Sequence, residues 1–365
     1  MSSALFSPLK LAGLELANRI VVSPMCQYSA DDGSATDWHM MHLGMLANSG
    51  AALVVVEATA VERIGRITHG CLGLYSDENE KALAHVIKQV RKAGTAKFGI
   101  QIAHAGRKAS AQLPWDGGLA LKDAEKPWPT VAASALPFGE NWHTPAMAND
   151  ADMTRIRDAF VASIKRALRI GFDSIELHMS HGYLFHSFMS PISNTRNDEH
   201  GGPLANRLKF PLSVARAARA IVPRNIPLGA RITGSDWREG GLTPDDAVQI
   251  AKALKGEGID FICVSSGGIT FDTRNPTAHL YNVSIAEKVR REAGIPTRAV
   301  GLIVTAQEAE SVIAQGRADM VALARAFLDD PHWGWHAAKA LGAEIPRAKQ
   351  YLRVGPKLWA PAAAG

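Results

Sequence analysis

Short apolar runs rich in Val and Ile alternate along the chain with stretches of helical period. The runs cover residues 20–25, 52–58, 98–103, 174–178, 228–233, 261–265, 297–303 and 320–324. They are continuous rather than alternating, so each predicts a strand covered on both faces, as parallel strands are. An amphipathic stretch follows each run: 38–48, 78–93, 153–169, 207–222, 244–256, 283–292, 306–314 and 332–341. Thr243 ahead of Pro244, and Thr305 ahead of another such stretch, are helix-start signals. Gly94, Gly171, Gly258, Gly294 and Gly316 each follow a helix and predict left-handed C-caps. Eight strand–helix units predict an α/β fold, a closed (β/α)8 TIM barrel in one domain over 1–365. An open doubly wound sheet is the alternative, weakened because no G-x-G-x-x-G opens a helix.

Two segments stand outside the repeat. Residues 107–150, after the third run, lack helical periodicity and are rich in Pro, Trp and Gly, as in Pro114-Trp115-Asp116-Gly117-Gly118. A loop of this length in a compact domain reads as a lid or binding loop. The other is a tail, about 346–365.

Charge narrows the picture slightly. Lys and Arg total 40 against 35 Asp and Glu, a net charge of +5 dispersed along the chain. Lys165, Arg166 and Arg169 sit at helical spacing beside apolar residues, a solvated helix face rather than a nucleic-acid stripe. Three cysteines, Cys26, Cys71 and Cys263, form no C-x-x-C pair, which argues against a disulfide framework or a metal site. Neither a leader pattern nor an apolar run of about 18 residues is present. A soluble, cytoplasmic protein with no metal and no nucleic-acid or membrane partner is expected.

In a barrel of this kind the site forms at the C-terminal ends of the strands. His178, His181 and Tyr183 follow the fourth run. Residues three apart on a strand face opposite ways, so the two histidines converge only if the chain turns after His178. Converged, they can hold a carbonyl oxygen with two donors while Tyr183 supplies a proton; apart, they are ordinary histidines. Gly301 and Ala324-Arg325 end the last two runs, where loops commonly bind phosphate. A tight turn with a surface arginine reads equally well. Gln101 and Arg231 lie inside apolar runs. They are either a buried hydrogen-bonded pair or the partners of a heterocycle.

Taken together, these stretches resemble the old yellow enzyme family of FMN-dependent ene-reductases. The matching motifs are Asn18-Arg19-Ile20, Ser23-Pro24-Met25-Cys26-Gln27-Tyr28, Val56-Glu57-Ala58-Thr59-Ala60, Gly65-Arg66-Ile67-Thr68 and Gln101 through His104 to Lys108. Further along come His178-Met179-Ser180-His181-Gly182-Tyr183-Leu184, Ser190-Pro191 through Arg196 to Asn206-Arg207, and Ala299-Val300-Gly301. The Cys26 and Tyr28 pair resembles the family's thermophilic-like class.

The resemblance implies a tightly bound, non-covalent FMN and a hydride donor that is NADPH or NADH, working by a ping-pong reduction of activated C=C bonds. It implies that Ser23, Pro24, Met25, Cys26 and Ala58 line the flavin, with Cys26 tuning its potential. Gln101 and Arg231 would bind the pyrimidine edge, and Arg325 with Gly301 and the Ala324 backbone the phosphate. His178 and His181 would polarise the substrate carbonyl, Tyr183 would protonate the substrate, and Tyr28 would touch it from the other side. The tail Lys349-Gln350-Tyr351-Leu352-Arg353 resembles the ending by which that class sends an arginine, here Arg353, into a neighbouring subunit's site. A homodimer or homotetramer acting on small enones or nitro compounds follows.

Ala324 departs from the glycine common in relatives and requires a negative φ. Trp115, Trp128 and Trp142 could line the mouth or merely pack the lid. The alternatives are another FMN barrel, a flavin-free barrel enzyme using Glu57 or Glu176, and a non-catalytic FMN binder.

Overall fold

The computed structural model describes residues 3–354 and Trp359. Every one of the eight apolar runs enters the barrel. In chain order the strands are β1 (Leu9–Leu11), β2 (Leu14–Leu16), β3 (Ile20–Val22), β4 (Leu53–Ala60), β5 (Lys97–Ala103), β6 (Val131–Ala132), β7 (Ala146–Met147), β8 (Ser174–Met179), β9 (Leu228–Thr233), β10 (Phe261–Ser265), β11 (Thr297–Ala299) and β12 (Met320–Leu323). The closed barrel runs β3-β4-β5-β8-β9-β10-β11-β12 and back to β3, and every pairing is parallel. Residues of β4 and β8 are buried without exception, which explains why the runs do not alternate.

The helices are α1 (Asp37–Ala47), α2 (Asp77–Ala93), α3 (Asp150–Ile170), α4 (Leu184–Met189), α5 (Leu204–Arg207), α6 (Lys209–Ile221), α7 (Pro244–Gly256), α8 (Val283–Ala293), α9 (Ala306–Ala314), α10 (Arg325–Asp329) and α11 (Trp333–Ala340). No helix among the described residues is long and apolar enough to cross a membrane.

Three predicted runs, 20–25, 297–303 and 320–324, leave the ladder early, at Val22, Ala299 and Leu323. Their remaining residues peel away to build the barrel mouth. In contrast β4 runs on to Ala60, with a bulge at Glu57 between Val56 and Ala58. An inserted residue of this kind re-aims the side chains around it.

Four of the predicted left-handed caps are present, at Gly171, Gly258, Gly294 and Gly316. Gly94 is not one: its φ is −145°. The chain there drops onto the end of α1, where a Cβ would stand 2.1 Å from the Ala47 carbonyl oxygen. That oxygen accepts from Thr95 and Ala96 N–H, so close approach and not handedness demands glycine.

The β1–β2 hairpin escapes the sequence pattern because each strand has only three residues. Its Leu11, Leu14 and Leu16 pack against Leu53, Phe261 and Met320, which start their strands, and so plug the N-terminal end of the barrel.

The lid holds three single 3₁₀ turns and the short β6–β7 pair. It is anchored: Arg196 Nη1 donates to Ala133 and Ala148 oxygens, and Trp128 Nε1 to Ile64 O. The tail, predicted without helical period, forms a 3₁₀ segment at Lys349–Val354. Tyr351 packs edge-on against Trp335 of α11 at 5.5 Å. Residues 355–358 and 360–365 lie outside the described residues.

Candidate functional site

His178 is buried near the end of β8, and Ser180 N–H donates to its Nδ1 at 3.2 Å. A nitrogen that accepts an amide proton carries none of its own, so the ring proton of His178 belongs to Nε2. The chain then turns through two left-handed residues, His181 (φ 60°) and Gly182 (φ 76°). A Cβ on Gly182 would fall 2.1 Å from Gly268 O, so only glycine passes. The turn brings the rings together as the convergent reading required: His181 Nδ1 stands 3.3 Å from His178 Nε2.

On its far side, His181 Nε2 is 2.7 Å from Ser265 Oγ, which also accepts from Arg231 Nη2 at 3.2 Å. Arginine only donates, so the Ser265 proton is free to go to His181 Nε2. In that state His181 carries its proton on Nδ1. In the other tautomer His181 Nδ1 accepts from His178 Nε2–H and its Nε2–H donates to Ser265 Oγ. An external oxygen therefore gains two donors only when the Ser265 proton turns to His181 Nε2 and the oxygen takes the place of the contact between the rings. Burial first, and Arg231 next, hold both imidazoles well below their usual pKa, so both are neutral near pH 7.

Tyr183 stands edge-on to His178, ring centroids 4.7 Å apart, and burial pushes its hydroxyl well above its ordinary pKa. It is a protonated group beside the pair. Lys108 Nζ donates to His181 O at 2.9 Å and lies 5.1 Å from the Tyr183 ring. Burial, then Arg107, lowers its pKa to about 8.

A cavity of about 440 Å³ opens beside the pair, lined by Ser23, His181, Arg231, Gly301, Ala324 and Arg325 among others. Gly301 has φ 112°, which other residues rarely adopt, whereas Ala324 has φ −114° and carries its methyl without strain. Arg231 Nε is buried with no hydrogen-bond partner. Ser23 and Met25 share a small adjoining space with Glu57, and Ala58 shares another with Tyr183 and Cys71. Pro24 and Cys26 belong to the same half-buried segment after β3. Burial, then Glu57, raises the Cys26 thiol well above its ordinary range, so it is no thiolate. Tyr28 has φ 51°, and its ring meets the exposed Trp115 at 5.9 Å, which puts that lid tryptophan beside Tyr28. Trp142 instead packs on Phe138, and Trp128 under Arg66. Arg353 is exposed and makes no hydrogen bond or ion pair among the described residues.

Gln101 and Arg231 do not pair with each other. Gln101 Nε2 donates to Glu176 Oε1 at 2.7 Å, and the other Glu176 oxygen pairs with Arg298 Nη2. Arg298 is fully buried, with Nε and Nη1 unpartnered. Sequence reasoning passed over it, although a charged residue inside the run 297–303 was the available signal. Glu176 is thus neutralised. Glu57 is also engaged: it accepts from Gln27 N–H at 3.0 Å and lies 3.2 Å from His39 Nε2. Neither carboxylate is free as a base for the flavin-free alternative. Lys108, inside a matching motif, and Ser265, at the end of the sixth run, were given no role from sequence and gain one from their contacts with His181.

Residues 4–344 match the family described as NADH:flavin oxidoreductase / NADH oxidase. The chain belongs to that family. Curated relatives named NADPH dehydrogenase agree. One from Geobacillus sp. strain WCH70 is 42% identical over 97% of this chain and 99% of its own. Another from Listeria innocua is 40% identical over 96% and 99%. Among solved structures, morphinone reductase superposes with TM-score 0.75 at 24% identity, covering 95% of this chain and 92% of its own. A 2-naphthoyl-CoA reductase complex superposes with TM-score 0.82 at 20% identity, covering 92% of this chain but 52% of the other. Both likenesses concern the fold. Membership makes the protein an old yellow enzyme-type oxidoreductase that uses FMN, with NAD(P)H as hydride donor.

Proposed function

We propose that the protein reduces the C=C bond of α,β-unsaturated carbonyl compounds. The observation that carries this reading is the meeting of His178 Nε2 and His181 Nδ1 at 3.3 Å, both rings neutral, beside protonated Tyr183. Two neutral donors facing one point suit a carbonyl oxygen that gains charge as a β-carbon accepts hydride.

The residues fit FMN. Arg231 has an orphaned buried Nε, Gly301 leaves room where a Cβ would crowd Asn282, and Arg325 lines the same cavity. Arg231 and Gln101 would hold the pyrimidine edge; with Nε2 given to Glu176, Gln101 offers its oxygen as an acceptor. Arg325, Gly301 and the Ala324 backbone would take the phosphate, and Ser23, Pro24, Met25, Cys26 and Ala58 the ring. FMN, when bound, supplies the hydride it has taken from NAD(P)H. His178 and His181 hold the substrate oxygen, Tyr28 bounds the substrate, and Tyr183 gives its proton to the α-carbon. The direct test is anaerobic bleaching of the yellow protein by NADPH, followed by cyclohexenone. Return of colour with stoichiometric saturated ketone supports the reading; a flavin that stays bleached sinks it.

Lys108 gives this site a pH signature. With a pKa of about 8 it is charged at neutral pH and loses its charge above that value. A phenolate held by the histidine pair is attracted by that charge, so affinity is expected to fall as pH rises from about 7 to about 9. The ligand should be a phenol already ionised at the lower pH. In Lys108→Met the fall should vanish. An equal fall in the variant would assign it to another group.

We also propose that Arg353 completes the site of a neighbouring subunit in a homodimer, or in a tetramer built from such dimers. Its exposure, on a tail seated by Tyr351 against Trp335, supports this. A two-fold contact is reciprocal. Subunits carrying Arg353→Ala mixed with subunits carrying His178→Ala should therefore regain activity, because one site of each mixed dimer carries neither lesion. Absence of recovery, in a mixture shown to exchange subunits, would leave Arg353 outside its neighbour's site.

A further inference from the structure

His181 and Gly182 are consecutive left-handed residues. Glycine adopts that conformation readily, but histidine does not. The Gly182 amide shows what holds the turn. It donates to His186 Nδ1 at 2.7 Å, from a ring one turn into α4 that is wholly buried. An Nδ1 that accepts an amide proton leaves the ring proton on Nε2. His186 Nε2 lies 2.8 Å from Asp236 Oδ1, and neither side chain has any exposure. The other Asp236 oxygen accepts from Ser190 Oγ and from Leu242 N–H, each at 2.7 Å. Thr233 Oγ1 stands 3.3 Å from His186 Nδ1 and 2.9 Å from Ser180 Oγ, which ties the residue before the turn to the same ring. Burial alone would raise the Asp236 carboxyl, but His186, Leu242 N–H and Ser190 hold it below its ordinary pKa.

We propose that His186 and Asp236 are a positioning couple: the carboxylate, close to His186 Nε2, favours the proton on that nitrogen and so keeps Nδ1 an acceptor, and His186 Nδ1 fixes the turn that sets His181 against His178. This inference rests on the ene-reductase reading of that histidine pair. An apolar side chain at 186 would leave the Gly182 amide buried without a partner. The turn would relax, and the His181 ring would move off the shared oxygen position. Neither His186 nor Asp236 lines the cavity, so they act through the histidine pair. Only acceptors that need an oxygen held by both rings should feel the loss. Dioxygen takes electrons from reduced flavin without such a grip.

The test uses the FMN-loaded enzyme, reduced by NADPH and then mixed in a stopped flow with cyclohexenone or with dioxygen. His186→Leu is expected to slow reoxidation by the enone about 30-fold or more while dioxygen changes by less than about two-fold. His186→Asn keeps an oxygen where Nδ1 stood and should recover most of the enone rate. Asp236→Asn keeps one acceptor oxygen, for Ser190 and Leu242 or for the His186 side but not for both, and should slow the enone selectively. If His186→Leu fails to hold FMN, the contrast between His186→Asn and Asp236→Asn decides the matter. Enone and dioxygen rates that fall in proportion, or that both stay unchanged, would overturn the couple. The control is His178→Ala: if it too leaves the enone rate intact, the reading of the pair itself fails, and with it this inference.

Discussion

Replacing His178 or His181 by alanine is expected to slow enone reduction by about 10²-fold or more, the scale for losing one preorganised donor to a developing oxyanion. Both rings are neutral, His178 buried and His181 half-buried, and their facing nitrogens are 3.3 Å apart. Removing either leaves the substrate oxygen with one donor. Without His181, Ser265 has only Arg231 to bond. FMN content should hardly change, because Arg231, Gly301 and Arg325 remain. Binding of phenolic ligands, read by their spectral perturbation of the flavin, should weaken in parallel. Loss of flavin, with unaltered activity for each flavin retained, would assign the two histidines to the cofactor instead.

A second large effect is expected at Tyr183. Its hydroxyl is protonated at any working pH because burial raises its pKa. It stands against the ring of His178 and so beside the bound carbonyl. Tyr183→Phe keeps the ring and its edge-on packing but removes the proton. General acid catalysis contributes roughly 10²–10⁴-fold, so enone reduction should fall within that range while phenolic ligands bind nearly as before. Reduction of the flavin by NADPH needs no proton from this residue and should keep its rate. A variant that reduces enones at the parental rate would move the proton source to solvent, and Tyr183 would then be a wall of the site.

The contrast between these residues and the rest of the site shows where sequence reading works. Tyr183, His178 and His181 stood out because polar residues clustered at the end of an apolar run, and the barrel places such ends around one cavity. Gln101 and Arg231 stood out as polar residues inside apolar runs, and of their two open readings the structure excludes the mutual pair. Gln101 bonds Glu176, and Glu176 bonds Arg298, 122 residues further along. No local pattern records which of several inward-facing side chains will meet after closure.

Continuous apolar runs by themselves determined the eight parallel strands, since a strand covered on both faces leaves no polar alternation. Helix-start signals at Thr243 and Thr305 likewise gave helices whose threonine side chains accept from Asp246 and Glu308 N–H. The tertiary structure alone decided that Gly94 is extended under the Ala47 carbonyl, that a hairpin of two three-residue strands plugs the barrel, and that the tail folds by Tyr351 against Trp335. It alone turned His181 back onto His178. Burial and helical period are properties of a residue and its near neighbours, and the chain states them directly. The pairing of groups distant in sequence depends on the registers and turns that form when the barrel closes, and on which buried donors are left needing an acceptor.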